Sequence, residues 1–131
     1  MKKNFMYFGV LALLFFMVAC RQEESSTNNT STEVDVPFAV EGEWPSSPAA
    51  QGWITDAATD LAAREGVGLS DVAFMAFELP VWPDASYGCP QPEQVYQQVP
   101  KEGYQIQLRV NGRDFFYHGG EDIEQFLCES E

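Results

Sequence analysis

Basic residues are scarce in this chain: seven Lys and Arg stand against 20 Asp and Glu in 131 residues, a net charge of −13. So acidic a surface repels polyanions, which argues against nucleic acid and anionic lipid headgroups as direct partners. Histidine occurs once, at His118, which does not suit a multi-His zinc site. The carboxylates Glu121, Asp122 and Glu124 lack the spacing of an EF-hand calcium loop. There is no glycine-rich phosphate cradle and no strip of interleaved basic and aromatic residues, so no cofactor and no metal is expected. Long hydrophobic runs are missing too. The only candidate, Phe5 to Val18, would make about 21 Å of helix against a hydrocarbon core of about 30 Å.

What that run does have is context. Lys2 and Lys3 precede it, and Met17-Val18-Ala19-Cys20 closes it with a small residue and then a cysteine. The layout resembles a bacterial lipoprotein signal, with Met17 where that class more often has Leu. The resemblance implies a signal peptide over 1–19, cleavage before Cys20, and lipid on its sulfur. Two or more acyl chains would then hold the protein stably on the extracytoplasmic side of a bacterial membrane, in the cell envelope. An ordinary transmembrane helix is the alternative reading of the same run.

Cleavage would remove two lysines and leave 5 basic against 20 acidic residues, net −15. From Arg21 to Glu43 the chain is rich in Ser, Thr, Asn and Glu, a composition that cannot offset its ordering entropy. It is expected to be a tether over 20–43, spanning about 26 Å as a random coil. Arg21-Gln22-Glu23-Glu24 is also similar to acidic surface-export signals of some lipoproteins; a solvated charge run is the plainer reading.

Residues 44–131 are then one small domain, near the size at which a single core is marginal. With Cys20 assigned to lipid, Cys89 and Cys128 remain, and an oxidising compartment favours their pairing. The alternative is a free Cys89 thiol acting as nucleophile or metal ligand.

Ser47-Pro48 followed by Ala50, Ile54, Ala57, Ala58, Leu61 and Ala62 predicts a helix over 49–65, ending at Gly66. Asp56 and Asp60 fall off its apolar stripe and are expected to be solvated. Val72 to Leu79 is an apolar, aromatic stretch bounded by Pro80, expected to be a buried strand. Tyr104 to Val110 alternates with period two and runs into Asn111-Gly112, the strongest short hairpin signal. A two-residue turn there sets Val110 opposite Arg113, Arg109 opposite Asp114 as an ion pair, Leu108 opposite Phe115, Ile106 opposite Tyr117 and Gln105 opposite His118. Ile106, Leu108, Phe115 and Tyr117 then share the inner face, and Phe116 and His118 the other. Glu121 to Cys128 returns with Ile123, Phe126 and Leu127 packing. The fold class expected is α+β: one helix on an antiparallel sheet of three or four strands, with a long connection over 80–103 pinned at Cys89.

That connection holds Trp82-Pro83-Asp84, Ser86, Tyr87, Gly88-Cys89-Pro90 and Pro92. Together with Tyr96, Gln98, Gly103-Tyr104, Ile106, Leu108, Tyr117-His118 and Leu127-Cys128, it resembles a family of small secreted bacterial domains with the pattern W-P-D-x-S-x-G-C-P-x-P. The resemblance spans roughly 50–128 and departs at Glu93, where the pattern has Gly. It implies a domain boundary and no reaction. At the level of fold alone the chain is loosely similar to PepSY-like and cystatin-like modules.

Three functions follow as expectations. The first is a non-enzymatic binding domain, protease-inhibitor-like in its extreme form. Its stiff loop would present Trp82, Pro83, Asp84, Ser86, Tyr87, Gly88 and Pro90, with His118 nearby, to an envelope or extracellular protein. The second is an accessory envelope lipoprotein docking through its acidic surface. The third is a hydrolase using Ser86 and His118 with Asp84, although D-A-S-Y-G lacks the first glycine of a nucleophile elbow. Cys89-Pro90 is also similar to a haem regulatory dipeptide, but a disulfide would consume the thiol. Nothing in the chain sets an oligomeric state.

Overall fold

The structure is a computed structural model and describes residues 35–129. The signal segment, Cys20 and the first part of the expected tether lie outside the described residues.

The chain order is β1 (Ala39–Val40), α1 (Pro48–Glu65), a short 3-10 turn (Leu69–Asp71), β2 (Val72–Glu78), β3 (Val81–Trp82), β4 (Lys101–Val110), β5 (Arg113–Gly120) and β6 (Ile123–Cys128). The helix begins where Ser47 accepts a hydrogen bond from the Ala50 amide at 3.5 Å and Pro48 preorganises the first turn. It stops at Gly66, whose backbone is left-handed. Its buried stripe is Ala50, Ile54, Ala57, Ala58, Leu61 and Ala62. The alanines let α1 lie close on β2 and β4, where Val72, Phe74, Ile106, Leu108 and Val110 complete the core.

The fold is α+β as expected, but the sheet has six strands and is mixed. Its order is β1-β2-β4-β5-β6, with β3 paired to β4. β1 runs parallel to β2, and the other pairings are antiparallel. The extra strands come from two places. Val81–Trp82 pairs with Lys101–Glu102, and β4 starts at Lys101, so the connection expected over 80–103 is shortened at both ends.

The second place is the expected tether. Phe38 is buried against Trp44, Ala39 and Val40 pair with Ala73 and Phe74, and the Glu41 amide donates to the Phe74 carbonyl at 2.9 Å. The folded unit therefore begins before Trp44. Polar composition hid the period-two pattern of Val36, Phe38 and Val40, and burying Phe38 offsets the entropy of ordering a short segment.

The β4–β5 hairpin has the expected register throughout. Val110 faces Arg113, Leu108 faces Phe115, Ile106 faces Tyr117 and Gln105 faces His118. Asn111 and Gly112 both have positive φ, 51° and 76°, as a type I′ turn requires. Arg109 Nε donates to Asp114 Oδ1 at 2.6 Å and Nη2 to Oδ2 at 3.1 Å. β6 returns antiparallel to β5, where a bulge sets Gly120 opposite Ile123 and His118 opposite Phe126. Phe126 and Leu127 pack, but Ile123 is exposed, contrary to expectation.

Asp60 is exposed, as expected, but it also has a partner on the sheet. Tyr117 reaches across from β5 and donates its hydroxyl to Asp60 Oδ2 at 2.7 Å, and Arg64 binds the same oxygen. Burial pushes the Asp60 carboxyl up, but the bonds from Tyr117 and Arg64 outweigh it and hold its pKa below the ordinary value. Burial pushes the Tyr117 phenol well above its ordinary range, and the Asp60 carboxylate adds to the rise. Sequence spacing placed Asp60 correctly on the helix. It could not show that a tyrosine from the sheet would arrive beside it.

Cys89 and Cys128 are joined, with Cα atoms 5.7 Å apart and a sequence separation of 39. A link closing a loop of that length stabilises by about 4 kcal/mol in the chain-entropy model. Cys128→Ser is expected to lower the unfolding free energy by about that amount, read from urea denaturation with the transition slope compared. A midpoint unchanged from wild type would show that the bond adds no stability.

Candidate functional site

Residues 82–91 form a chain of tight turns laid over the outer face of the sheet, and each turn has a local cause. Asp84 Oδ1 accepts the Ser86 amide at 2.9 Å, the Asp84 carbonyl accepts from Tyr87 at 3.4 Å, and the Ser86 carbonyl accepts from Cys89 at 3.1 Å. The Ser86 hydroxyl and amide, together with Gln98, outweigh burial and hold the Asp84 carboxyl below its ordinary pKa. Ala85 donates to the Gln97 carbonyl at 3.0 Å, tying the outgoing and returning arms.

Tyr87 and Gly88 then take positive φ, 53° and 74°. This reversal folds Gly88 onto the Trp82 indole, so closely that a Cβ there would lie 2.1 Å from Cζ3. The Trp82 ring stacks on His118, with centroids 4.9 Å apart and planes at 21°, and His118 meets Phe126 edge-on at 6.0 Å. Tyr87 is buried against Gly120, and Cys89 is buried at the disulfide.

His118 is 4 % exposed, and its Nδ1 lies 2.7 Å from the Tyr87 carbonyl oxygen. A carbonyl only accepts, so Nδ1 carries the proton. Desolvation lowers the His118 pKa from its ordinary 6.5, and the Tyr87 carbonyl opposes it only in part. The ring is therefore neutral at pH 7.

The residues singled out in sequence divide into two sets. Trp82, Asp84, Ser86, Tyr87 and His118 come together, and they hold one another. Pro83, Gly88 and Pro90 are exposed along the outside of the segment. The Asp84-Ser86-His118 series needed by a serine hydrolase is not assembled in this arrangement: Ser86 binds Asp84, and His118 Nδ1 binds the Tyr87 carbonyl. Trp82 Nε1 is buried without a hydrogen-bond partner among the described residues. Among those residues, no group of three or more His, Cys, Asp or Glu side chains is placed to hold a metal.

Glu93 accounts for the departure at the position where the pattern has Gly. Its φ is 65°, in the left-handed region that favours Gly. Tyr96 fixes this turn by accepting the Gln91 amide at 3.0 Å and donating to Gln94 Oε1 at 3.1 Å.

A disulfide-stapled α+β domain whose central turn segment is locked by a Trp-His stack defines the class of this protein. The chain belongs to the family described as Domain of unknown function (DUF8738), whose model matches residues 54–128. That match takes in the whole Trp82 to Pro92 segment and ends at Cys128. No curated protein and no solved structure matches the chain.

Gly88→Ala would set a methyl group into the Trp82 ring at a left-handed position, and is expected to cost about 3 kcal/mol by chemical denaturation. His118 supplies a pH signature. Its folded pKa is depressed, so the stability it contributes is complete above about pH 6.5 and is lost as pH falls through the folded value. Melting temperature should drop between pH 7.5 and 5.5 in the wild type and stay flatter in His118→Gln; equal slopes would remove His118 as the cause.

Proposed function

We propose that this protein is a lipid-anchored, extracytoplasmic lipoprotein whose small domain binds another envelope or extracellular protein without catalysing a reaction. The observation that carries the reading is the immobilisation of residues 82–91. A disulfide, a Trp82-His118 stack and the Tyr87-His118 hydrogen bond all hold one short segment. A surface ordered before contact loses little conformational entropy on binding, which is the advantage of rigid inhibitor-type loops.

Beside the segment lies a shallow depression of about 350 Å³ lined by Ala85, Cys89, Tyr96, Ile123 and Phe126 among others. Pro83, Gly88 and Pro90 are exposed on the segment itself, and the partly apolar floor of the depression suits one side chain of a partner. The Cys89–Cys128 bond supports an oxidising compartment outside the cytoplasm. The Met17-Val18-Ala19-Cys20 layout supports the anchor.

Two measurements test the reading. Cys20→Ala should move the protein from the membrane pellet to the soluble fraction and abolish labelling by an alkyne fatty acid; retention in the pellet with unchanged labelling would refute the anchor. Cross-linking in intact envelopes should yield one partner, identified by mass spectrometry. Its yield should fall at least tenfold in Pro83→Asp/Pro90→Asp, a pair of exposed positions chosen to spare the packed residues.

A further inference from the structure

A second surface shares Ile123 and Phe126 with the depression beside the 82–91 segment and is otherwise built from different residues. α1 lies over β2 and β4, while the sheet runs on through β5 to β6. Between α1 and β6 is an open groove of about 630 Å³. Trp53, Asp56, Asp60 and Arg64, at spacings that repeat on one helical face, form its helix wall. Ile123 to Leu127 of β6 form the other wall.

β6 is the last strand of the sheet, and among the described residues it pairs only with β5. Its outer edge therefore offers a row of backbone donors and acceptors alongside a walled groove, the geometry into which an extended chain adds as a strand. The side chains select what is added. Four carboxylates line the groove (Asp56, Asp60, Glu124 and Glu129) against one guanidinium, Arg64, a local net charge of −3. Arg64 is already bound to Asp60, whereas Asp56 and Glu124 are exposed. Trp53 lies flat on Tyr104, with centroids 4.2 Å apart and planes at 6°, and 37 % of it remains exposed as a π surface for a cation.

We infer that the groove binds a basic, extended peptide segment of another protein as an added strand on β6. The segment's backbone pairs with the β6 edge, and its Lys or Arg side chains meet Asp56, Glu124 and the Trp53 ring. A second copy of this chain is the poorer occupant, because pairing β6 with itself would bring two acidic grooves together. The inference uses residues outside the 82–91 segment, so its failure would leave the loop reading standing.

The test uses the full-length chain in neutral detergent and a labelled ten-residue peptide of alternating Lys and Val. Anisotropy should report binding, and hydrogen exchange should show new protection of β6 amides. Binding should weaken at least tenfold for a Glu-Val peptide, for N-methylation at alternate peptide residues, and for Asp56→Lys/Glu124→Lys. Trp53→Ala should weaken it several-fold. Both charge reversals are at exposed positions, and Asp56→Asn/Glu124→Gln should give a smaller loss in the same direction. Absence of binding, equal affinity for the Glu-Val or N-methylated peptide, or affinity indifferent to the charge reversals would overturn the proposal. So would β6 protection that grows with protein concentration in the absence of peptide, which would make a second copy the occupant.

Discussion

The two-residue turn at Asn111-Gly112 sets the parity of β5, and both faces of the molecule depend on it. With Val110 opposite Arg113, Tyr117 must point toward α1 and His118 toward the turn segment. Adjacent residues thus serve opposite layers. Tyr117 crosses the core to Asp60 on the helix, and His118 stacks under Trp82 while binding the Tyr87 carbonyl. A one-residue slip would exchange them, exposing the apolar face and leaving the indole on a residue that cannot make the same bond.

The outer layer is ordered by covalent and aromatic contacts instead of a second core. Gly88 allows the chain to close on Trp82, the disulfide fixes Cys89 to the end of β6, and His118 is kept neutral by its own burial. These contacts rigidify a segment that has no ladder of its own between β3 and β4. The same economy explains why several residues that look like binding groups in sequence are interior here. Aromatic and polar side chains in a proline-rich connection suit recognition, and they equally suit packing of a loop onto a sheet.

The hairpin, the helix and the disulfide were legible in sequence because each rests on local chemistry or simple counting. Positive φ at Asn111 and Gly112, the Ser47 cap and the stripe from Ala50 to Ala62 involve residues close in the chain. The strand at Ala39–Val40 was not legible, since its pairing partner lies more than thirty residues away and it is only two residues long at the end of a polar stretch. Asp60 is solvated as its place on α1 implies, but that place says nothing of the Tyr117 hydroxyl brought by the sheet. Of the turn segment, sequence gave its residues and its pin. It did not separate those that hold the segment, such as Trp82 and Tyr87, from those at its rim, such as Pro83 and Pro90.

The sequence by itself determined the α+β class, the register of the central hairpin and the cysteine pair, because periodicity, turn stereochemistry and the count of thiols are properties of the chain alone. Only the tertiary structure decided which side chains face each other across layers. That includes the stack of Trp82 on His118, the bond from Tyr117 to Asp60 and the acidic groove between α1 and β6. These pairings depend on where α1 stops covering the sheet and on how the 82–91 turns close, and neither is encoded in any single stretch of residues. The physical reason is that burial and electrostatics act through space, over distances that sequence separation does not measure.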